Sequence, residues 1–191
     1  MSLILASNSR YKRAQMQKLG LIFTSAAPEN EEKHDTKISP RELSLILAKQ
    51  KALEIHALHP NDFIIGSDQT AEITSTRSLL TKPGSISKAI QQLQDCSGQT
   101  VCFYSAVSIL GPSVDLTWEI TTEVVFRSLT TAEIQRYVKF DNPVDCAGGF
   151  KIESLGISLF EKITSEDPTA LVGLPLLSLA NNLRKLGHLV P

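Results

Sequence analysis

Cysteine is scarce in this sequence: there are three in 191 residues, Cys96, Cys102 and Cys146, an odd number with no C-x-x-C pair. That argues against both a disulfide framework and a cysteine-rich zinc site, and suits a reducing cytosol. An excess of either charge is also missing, because 19 Lys and Arg stand against 20 Asp and Glu, a formal net charge of −1. No global field recruits DNA, RNA or an anionic membrane, so a bound anion needs a local cluster of cations. With no basic stripe carrying interleaved aromatics, stable nucleic-acid binding is not expected. No stretch approaches transmembrane length, and the short apolar run at the start has no cationic segment before it, so the expectation is a cytoplasmic protein with no membrane partner. There is no internal repeat or low-complexity tract. P-loop, G-x-S-x-G, H-E-x-x-H and dinucleotide fingerprints are absent too, which sets those mechanisms aside.

What is present is enough apolar residue, 42% of the chain, for one sizeable core, so residues 1–191 read as a single domain. "LILA" (3–6) reads as a buried strand, and Ser7, Asn8 and Ser9 offer N-caps for a helix from about Arg10 to Leu19 that stops at Gly20. "LIFTSAA" reads as a strand and "PENEEKHDTKISP" as a charged loop, a candidate lid or ligand arm. Helical spacing of Leu43, Ile46, Leu47 and Leu53 predicts a helix over about 41–58, and "FIIGSD" the next buried strand. A helix over about 87–94 precedes two long strand-like runs joined at "GPSVD". In the second run Trp118, Ile120, Thr122, Val124 and Phe126 alternate with polar neighbours, the period of a half-buried strand. "TAEIQRYV" reads as a helix, "ISLFEKI" as a strand, and Pro175 opens a last helix that Gly187 ends. Helices between some strands and consecutive strands in the middle make the class α/β with a mixed sheet.

Three stretches carry candidate chemistry. The strand–Ser–helix start at 3–10 presents free N–H groups and a positive dipole end, and Arg13 lies one turn in on the side of Ser9. This suits a phosphate, but it equally describes a capped surface helix. Lys51 has Leu47 and Ile55 one turn away on either side, so it sits nearer the apolar face than a solvated lysine should. An anion would satisfy it; a snorkelling stem is the alternative. In "FIIGSDQT" the acid Asp68 stands at the end of a buried strand, which is costly unless it is a cap, a metal ligand or a base. Glu31 or Glu32 beside it would complete an oxygen-rich site for Mg²⁺ or Mn²⁺, and Lys82 in "TKPGS" is a further cation. Solvated loop acids and a turn-capping aspartate are the plainer reading.

Taken in order, "LILASNSRYKRAQMQKLGLIF", "APENEE", "LAKQKA", "IIGSDQ", "TKP", "CAGGFKIESLG" and "DPTALVGLPL" resemble the successive motifs of the Maf family of nucleotide pyrophosphatases across nearly the whole chain. The resemblance implies a mixed twisted sheet of the Maf/Ham1 (ITPase-like) type with a cleft between two lobes. It also implies divalent-metal-dependent cleavage of a nucleoside triphosphate between the α and β phosphorus, with Mg²⁺ or Mn²⁺ as the metal, and a possible homodimer. By the same resemblance Ser7, Arg13, Lys51 and Lys82 bind polyphosphate and Glu32 binds metal. Asp68 is the general base, with a second role as metal ligand left open. Tyr11, Gln69 and Glu153 fall on the specificity positions, and an aromatic, a glutamine and a glutamate there resemble the 7-methyl-GTP pyrophosphatases. The branch acting on UTP and dTTP tends to carry Arg, Thr and Gln.

The chemistry is in keeping: N7-methylation makes the purine cationic, which suits the Tyr11 face by ~1 kcal/mol or more when desolvated. A Glu153 carboxylate accepts from the N1–H and N2–H₂ donors of guanine and repels the acceptor edge of a pyrimidine. Such an enzyme would keep modified nucleotides out of nucleic acid. Two alternatives stay open: the same reaction on dTTP, UTP or CTP, and a regulator of septum formation acting through protein contacts. The chain departs from the pattern at Arg10, where the subfamily often has proline, and at Thr81, where G-K-P is commoner than T-K-P.

Overall fold

A computed structural model of the chain describes residues 1–29 and 38–191. Its strands are β1 (Leu3–Ala6), β2 (Thr24–Ala26), β3 (Phe63–Ile73), β4 (Ser78–Leu80), β5 (Thr100–Gly111), β6 (Val114–Phe126) and β7 (Phe160–Ser165). They form one seven-stranded sheet in the order β2-β1-β3-β5-β6-β7, with β4 paired to β3. The α-helices are α1 (Arg10–Gln17), α2 (Pro40–Leu58), α3 (Ile86–Cys96), α4 (Thr131–Asp141) and α5 (Leu176–Lys185). The mixed α/β class read from the sequence is the class observed. The described chain forms two compact units, one of residues 1–69, 105–120 and 167–191, the other of 70–104 and 121–166.

In the first unit β1 runs parallel to both β2 and β3, with Ala6 opposite Ala26 and Gly66. All four β1 residues are buried because both faces of the strand are covered. Leu3 and Leu5 join Met16, Ile65, Val107, Ile109, Leu179 and Leu183 on one face. Ile4 and Ala6 pack with Ala52, Ile55 and Ile64 on the other, the two-residue period of a strand. Helix α2 starts one residue before the expected Arg41, since Ser39 caps it through a reciprocal bond with Glu42 and Pro40 takes the first turn. Helix α1 is shorter than expected: its last turn tightens after Gln17 and the chain leaves through Gly20 at φ +67°.

One contact sets how near α2 comes to the sheet. A Cβ at Gly66 would lie 2.2 Å from the Ala48 carbonyl oxygen and 2.7 Å from the Ala52 nitrogen. Backbone therefore packs on backbone there, which only glycine allows.

The second unit contains the alternation expected for β6: Thr122, Val124 and Phe126 are buried, and β7 pairs antiparallel to them. Phe103, Phe126, Phe150 and Phe160 meet edge to face, with centroids 4.8–5.9 Å apart. The glycines of "AGGFK" serve this cluster. Gly148 has φ +81°, and a Cβ there would stand 3.0 Å from the Phe150 ring and 3.1 Å from that of Phe103. On α3, burial pushes the Cys96 thiol up to about 12, so it is a core residue and not a nucleophile.

Replacing Gly66 with alanine should lower the unfolding free energy by about 3 kcal/mol, because backbone cannot step aside as a side chain can. Urea denaturation reads this as a lower midpoint; an unchanged midpoint would contradict the close approach.

Candidate active site

Strand β3 runs on past Asp68 to Ile73, which corrects the expectation that Asp68 ends it. The reason is the pattern beyond Gln69: Ala71 and Ile73 are buried and pair with β4, so the ladder continues. Successive β3 residues point to opposite faces. Ile64, Gly66 and Asp68 face α2; Ile65, Ser67 and Gln69 face the other way. Asp68 is only 7% exposed, and its Oδ1 accepts a hydrogen bond from Nζ of Lys51 on α2. Leu47 and Ile55, one turn to either side of Lys51, are buried, so the lysine indeed lies on the packed face and has the anionic partner that its position requires.

The neighbouring strand end carries the polar turn. Ser7 is 8% exposed, and its Oγ accepts from the Ser9 N–H at 3.1 Å. Ser9 caps α1 by accepting from the Lys12 N–H at 3.4 Å. Lys12, given no role in the sequence reading, donates from Nζ to the Ser67 carbonyl oxygen at 2.7 Å and so ties α1 to the residue before Asp68. Arg13 is exposed, has no side-chain partner among the described residues, and lines a surface cavity of about 520 Å³ with Gln17, Phe23 and Ser25. Tyr11 carries a cation on one ring face: the Arg10 guanidinium lies 4.7 Å from the centroid, and Arg10 Nη2 donates to the Tyr11 hydroxyl at 2.7 Å.

On the opposite face of β3 the stretch 167–174 is pinned by side chains. Gln15 Nε2 donates to the carbonyls of Thr169 (2.8 Å) and Leu174 (3.0 Å), and Ser67 Oγ to that of Gly173 (3.1 Å). Gln69 Nε2 donates to Ser105 Oγ (2.9 Å) and to the carbonyls of Ala170 (3.1 Å) and Leu171 (3.3 Å). Asp167, 1% exposed, accepts from Thr169 N and Oγ1 and from Ser178 N, where the last helix begins.

Lys82 and Glu153 are exposed and belong to the second unit, Lys82 lining a cavity of about 520 Å³ with Ser75, Thr76, Lys88 and Gln92. Glu32, with the charged stretch around it, falls outside the described residues. The structure thus joins Asp68 directly to Lys51 and places Ser7 at the adjacent strand end. As a hard oxygen donor, Asp68 fits a Mg²⁺ or Mn²⁺ held largely by phosphate oxygens, a common way to bind these ions. Among the described residues no group of three His, Cys, Asp or Glu offers a complete protein cage.

The family described as "Maf-like protein" matches residues 2–186. The chain belongs to the Maf family. A 7-methyl-GTP pyrophosphatase of Xanthomonas axonopodis pv. citri is 48% identical over 189 residues, 99% of this chain and 98% of that protein. One of Hahella chejuensis is 44% identical over 196 residues, 100% of this chain and 96% of that protein. Among solved structures, the Staphylococcus aureus Ham1 protein is 15% identical, with a TM-score of 0.46 over 67% of this chain and 73% of that one.

In this Maf chain sequence reasoning missed Lys12, Gln15, Ser67, Ser105, Asp167 and Thr169. Only the aspartate of "DPT" carried a local signal, as a side chain that bonds its own backbone two residues on. The Lys51–Asp68 pair gives a thermodynamic prediction. Lys51→Met leaves a largely buried carboxylate without its counter-charge and should cost about 2–3 kcal/mol, less than a fully buried pair because both groups keep some solvent. Adding Asp68→Asn should recover part of that loss. A double-mutant cycle by urea denaturation checks it, and additive effects would contradict the coupling.

Proposed function

We propose that this chain is a nucleoside triphosphate pyrophosphatase acting on 7-methyl-GTP, releasing 7-methyl-GMP and pyrophosphate, with Asp68 as the base. The observation that carries the reading is the Lys51–Asp68 pair: Asp68, within β3, lies just past the carboxyl end of the parallel strand β1, whose Ala6 pairs with Gly66, and β1 leads through the polar turn into the start of α1. Ligands of α/β sheets bind outside such strand ends, and helix N-termini favour phosphate. Water adds across the α–β anhydride: its proton passes to the Asp68 carboxylate, a new P–O bond forms, and pyrophosphate leaves. Lys51 holds that carboxylate in place and, with Arg13, adds positive charge for the phosphates; Ser7 keeps a hydroxyl hydrogen to donate to them. The resemblance adds Lys82 to these cations.

A divalent ion, held by Asp68 and by resemblance Glu32, would neutralise charge on the phosphate oxygens. Substrate choice rests on the names of close relatives and on Tyr11, whose ring binds a cation on one face, that of Arg10, and would present its other face to a methylated purine. Glu153 as the acceptor for guanine donors belongs to the same proposal, as do a homodimer and a cytoplasmic location. Among the described residues no helix is long and apolar enough to cross a membrane. The septum-formation regulator is the contrasting reading and predicts no nucleotide turnover.

Asp68→Asn should reduce pyrophosphate release from 7-methyl-GTP by at least about 100-fold with the far-UV circular dichroism unchanged. Chelation should abolish the wild-type activity and Mg²⁺ or Mn²⁺ restore it. Undiminished turnover by the folded variant would remove Asp68 from the mechanism.

A further inference from the structure

The Gln69 amide decides more than its own position, because both of its N–H donors are occupied. Nε2 has three acceptors within 3.3 Å: Ser105 Oγ and the carbonyls of Ala170 and Leu171. An amide nitrogen brings two hydrogens, so none remains for a ligand. The Gln69 carbonyl oxygen has no partner among the described residues, and the side chain is half-buried, so solvent reaches it. Ser105 supplies the shortest of the three contacts that hold this orientation. Its side chain is buried on β5, and its single hydroxyl hydrogen is directed to the Ala170 carbonyl at 2.8 Å. The lone pairs of that hydroxyl therefore face Gln69, and only the NH₂ end of the amide can approach them. Flipping Gln69 would set its carbonyl oxygen against Ala170 O, Leu171 O and the Ser105 lone pairs together, three repulsive contacts in place of three hydrogen bonds.

We infer that Ser105 is a specificity-positioning residue: it holds the Gln69 amide so that the only atom Gln69 can offer a base is an acceptor, which selects for a base edge rich in donors. The N1–H and N2–H₂ edge of 7-methylguanine has that character, whereas the O2 and O4 atoms of uracil do not. This rests on the proposed 7-methyl-GTP reading, with Gln69 at a specificity position by resemblance, and deepens it, since the selectivity would come from a buried hydroxyl one step behind Gln69.

The test is the ratio of kcat/KM for 7-methyl-GTP to that for UTP in wild type, Ser105→Ala and Ser105→Thr. In Ser105→Ala the amide loses the shortest of the three contacts that hold its orientation, leaving the two carbonyls. The ratio should fall by about tenfold, through a raised KM for 7-methyl-GTP with kcat changed less than threefold. Ser105→Thr keeps the hydroxyl and should restore the ratio. If threonine does not fit the buried position, Ser105→Cys, a weaker donor and acceptor, should give an intermediate ratio. A Ser105→Ala enzyme that keeps the wild-type ratio, or that loses kcat equally on both substrates as a merely structural residue would, overturns the inference and leaves the substrate reading standing. A wild-type enzyme that prefers UTP overturns the substrate reading, and this inference with it.

Discussion

The contact between Gly66 and the backbone of α2 is the constraint on which the first unit depends. A methyl group at that position would sit inside the Ala48 carbonyl. Because it is absent, α2 packs directly on β3, and Lys51, one turn past Leu47 and three residues past Ala48, comes within hydrogen-bonding reach of Asp68, two residues along the strand. A lysine and an aspartate each lose much hydration at such a place, and each offsets part of the other's cost. Chain geometry thus produces a fixed carboxylate with a cation on it, and the chemistry of a base beside phosphate-binding charge follows from the packing.

The opposite face of β3 shows how the same strand does a second job. Residues 65, 67 and 69 alternate away from α2, and the last two are polar because they meet a segment that is irregular apart from one 3₁₀ turn (Ala170–Val172), so that backbone satisfies only some of its carbonyls. Four of those carbonyls, at Thr169, Leu171, Gly173 and Leu174, accept from Gln15, Ser67 or Gln69, and a fifth, at Ala170, accepts from both Gln69 and Ser105. Side chains of α1, β3 and β5 therefore do for this segment what a ladder does for a strand. An irregular stretch fixed so fully can hold a residue such as Gln69 in one orientation, which a solvated loop cannot.

Much of this was legible in the sequence, for identifiable reasons. Helical periodicity placed Lys51 between two core residues, which called for either an anionic partner or a snorkelling stem; the structure supplies the partner, Asp68. The β6 alternation held in its second half, where Thr122, Val124 and Phe126 are buried; Trp118, Glu119 and Ile120 before them are all half-buried. The extent of β3 was misjudged: Asp68 read as the end of the strand, but the Gln69 NH₂ is satisfied inside the protein and Ala71 and Ile73 continue the apolar face. The hydrogen bonds of segment 167–174 were invisible, because donors to its carbonyls lie up to 159 residues away in the chain. "DPTALVGLPL" could be matched to a family as a motif, but local pattern could not say what it touches. Arg10 read as a departure from the subfamily, and its effect on the Tyr11 ring appears only in three dimensions.

The central claim, that the Lys51–Asp68 site hydrolyses a purine triphosphate methylated at N7, is tested most directly by pyrophosphate release from 7-methyl-GTP, GTP, UTP, dTTP and CTP by the wild-type protein with Mg²⁺ or Mn²⁺. The account predicts the highest kcat/KM for 7-methyl-GTP, with GTP below it for want of the positive charge on the base. Preference for a pyrimidine triphosphate would contradict the reading of the base, and turnover of none would contradict the reading of the site.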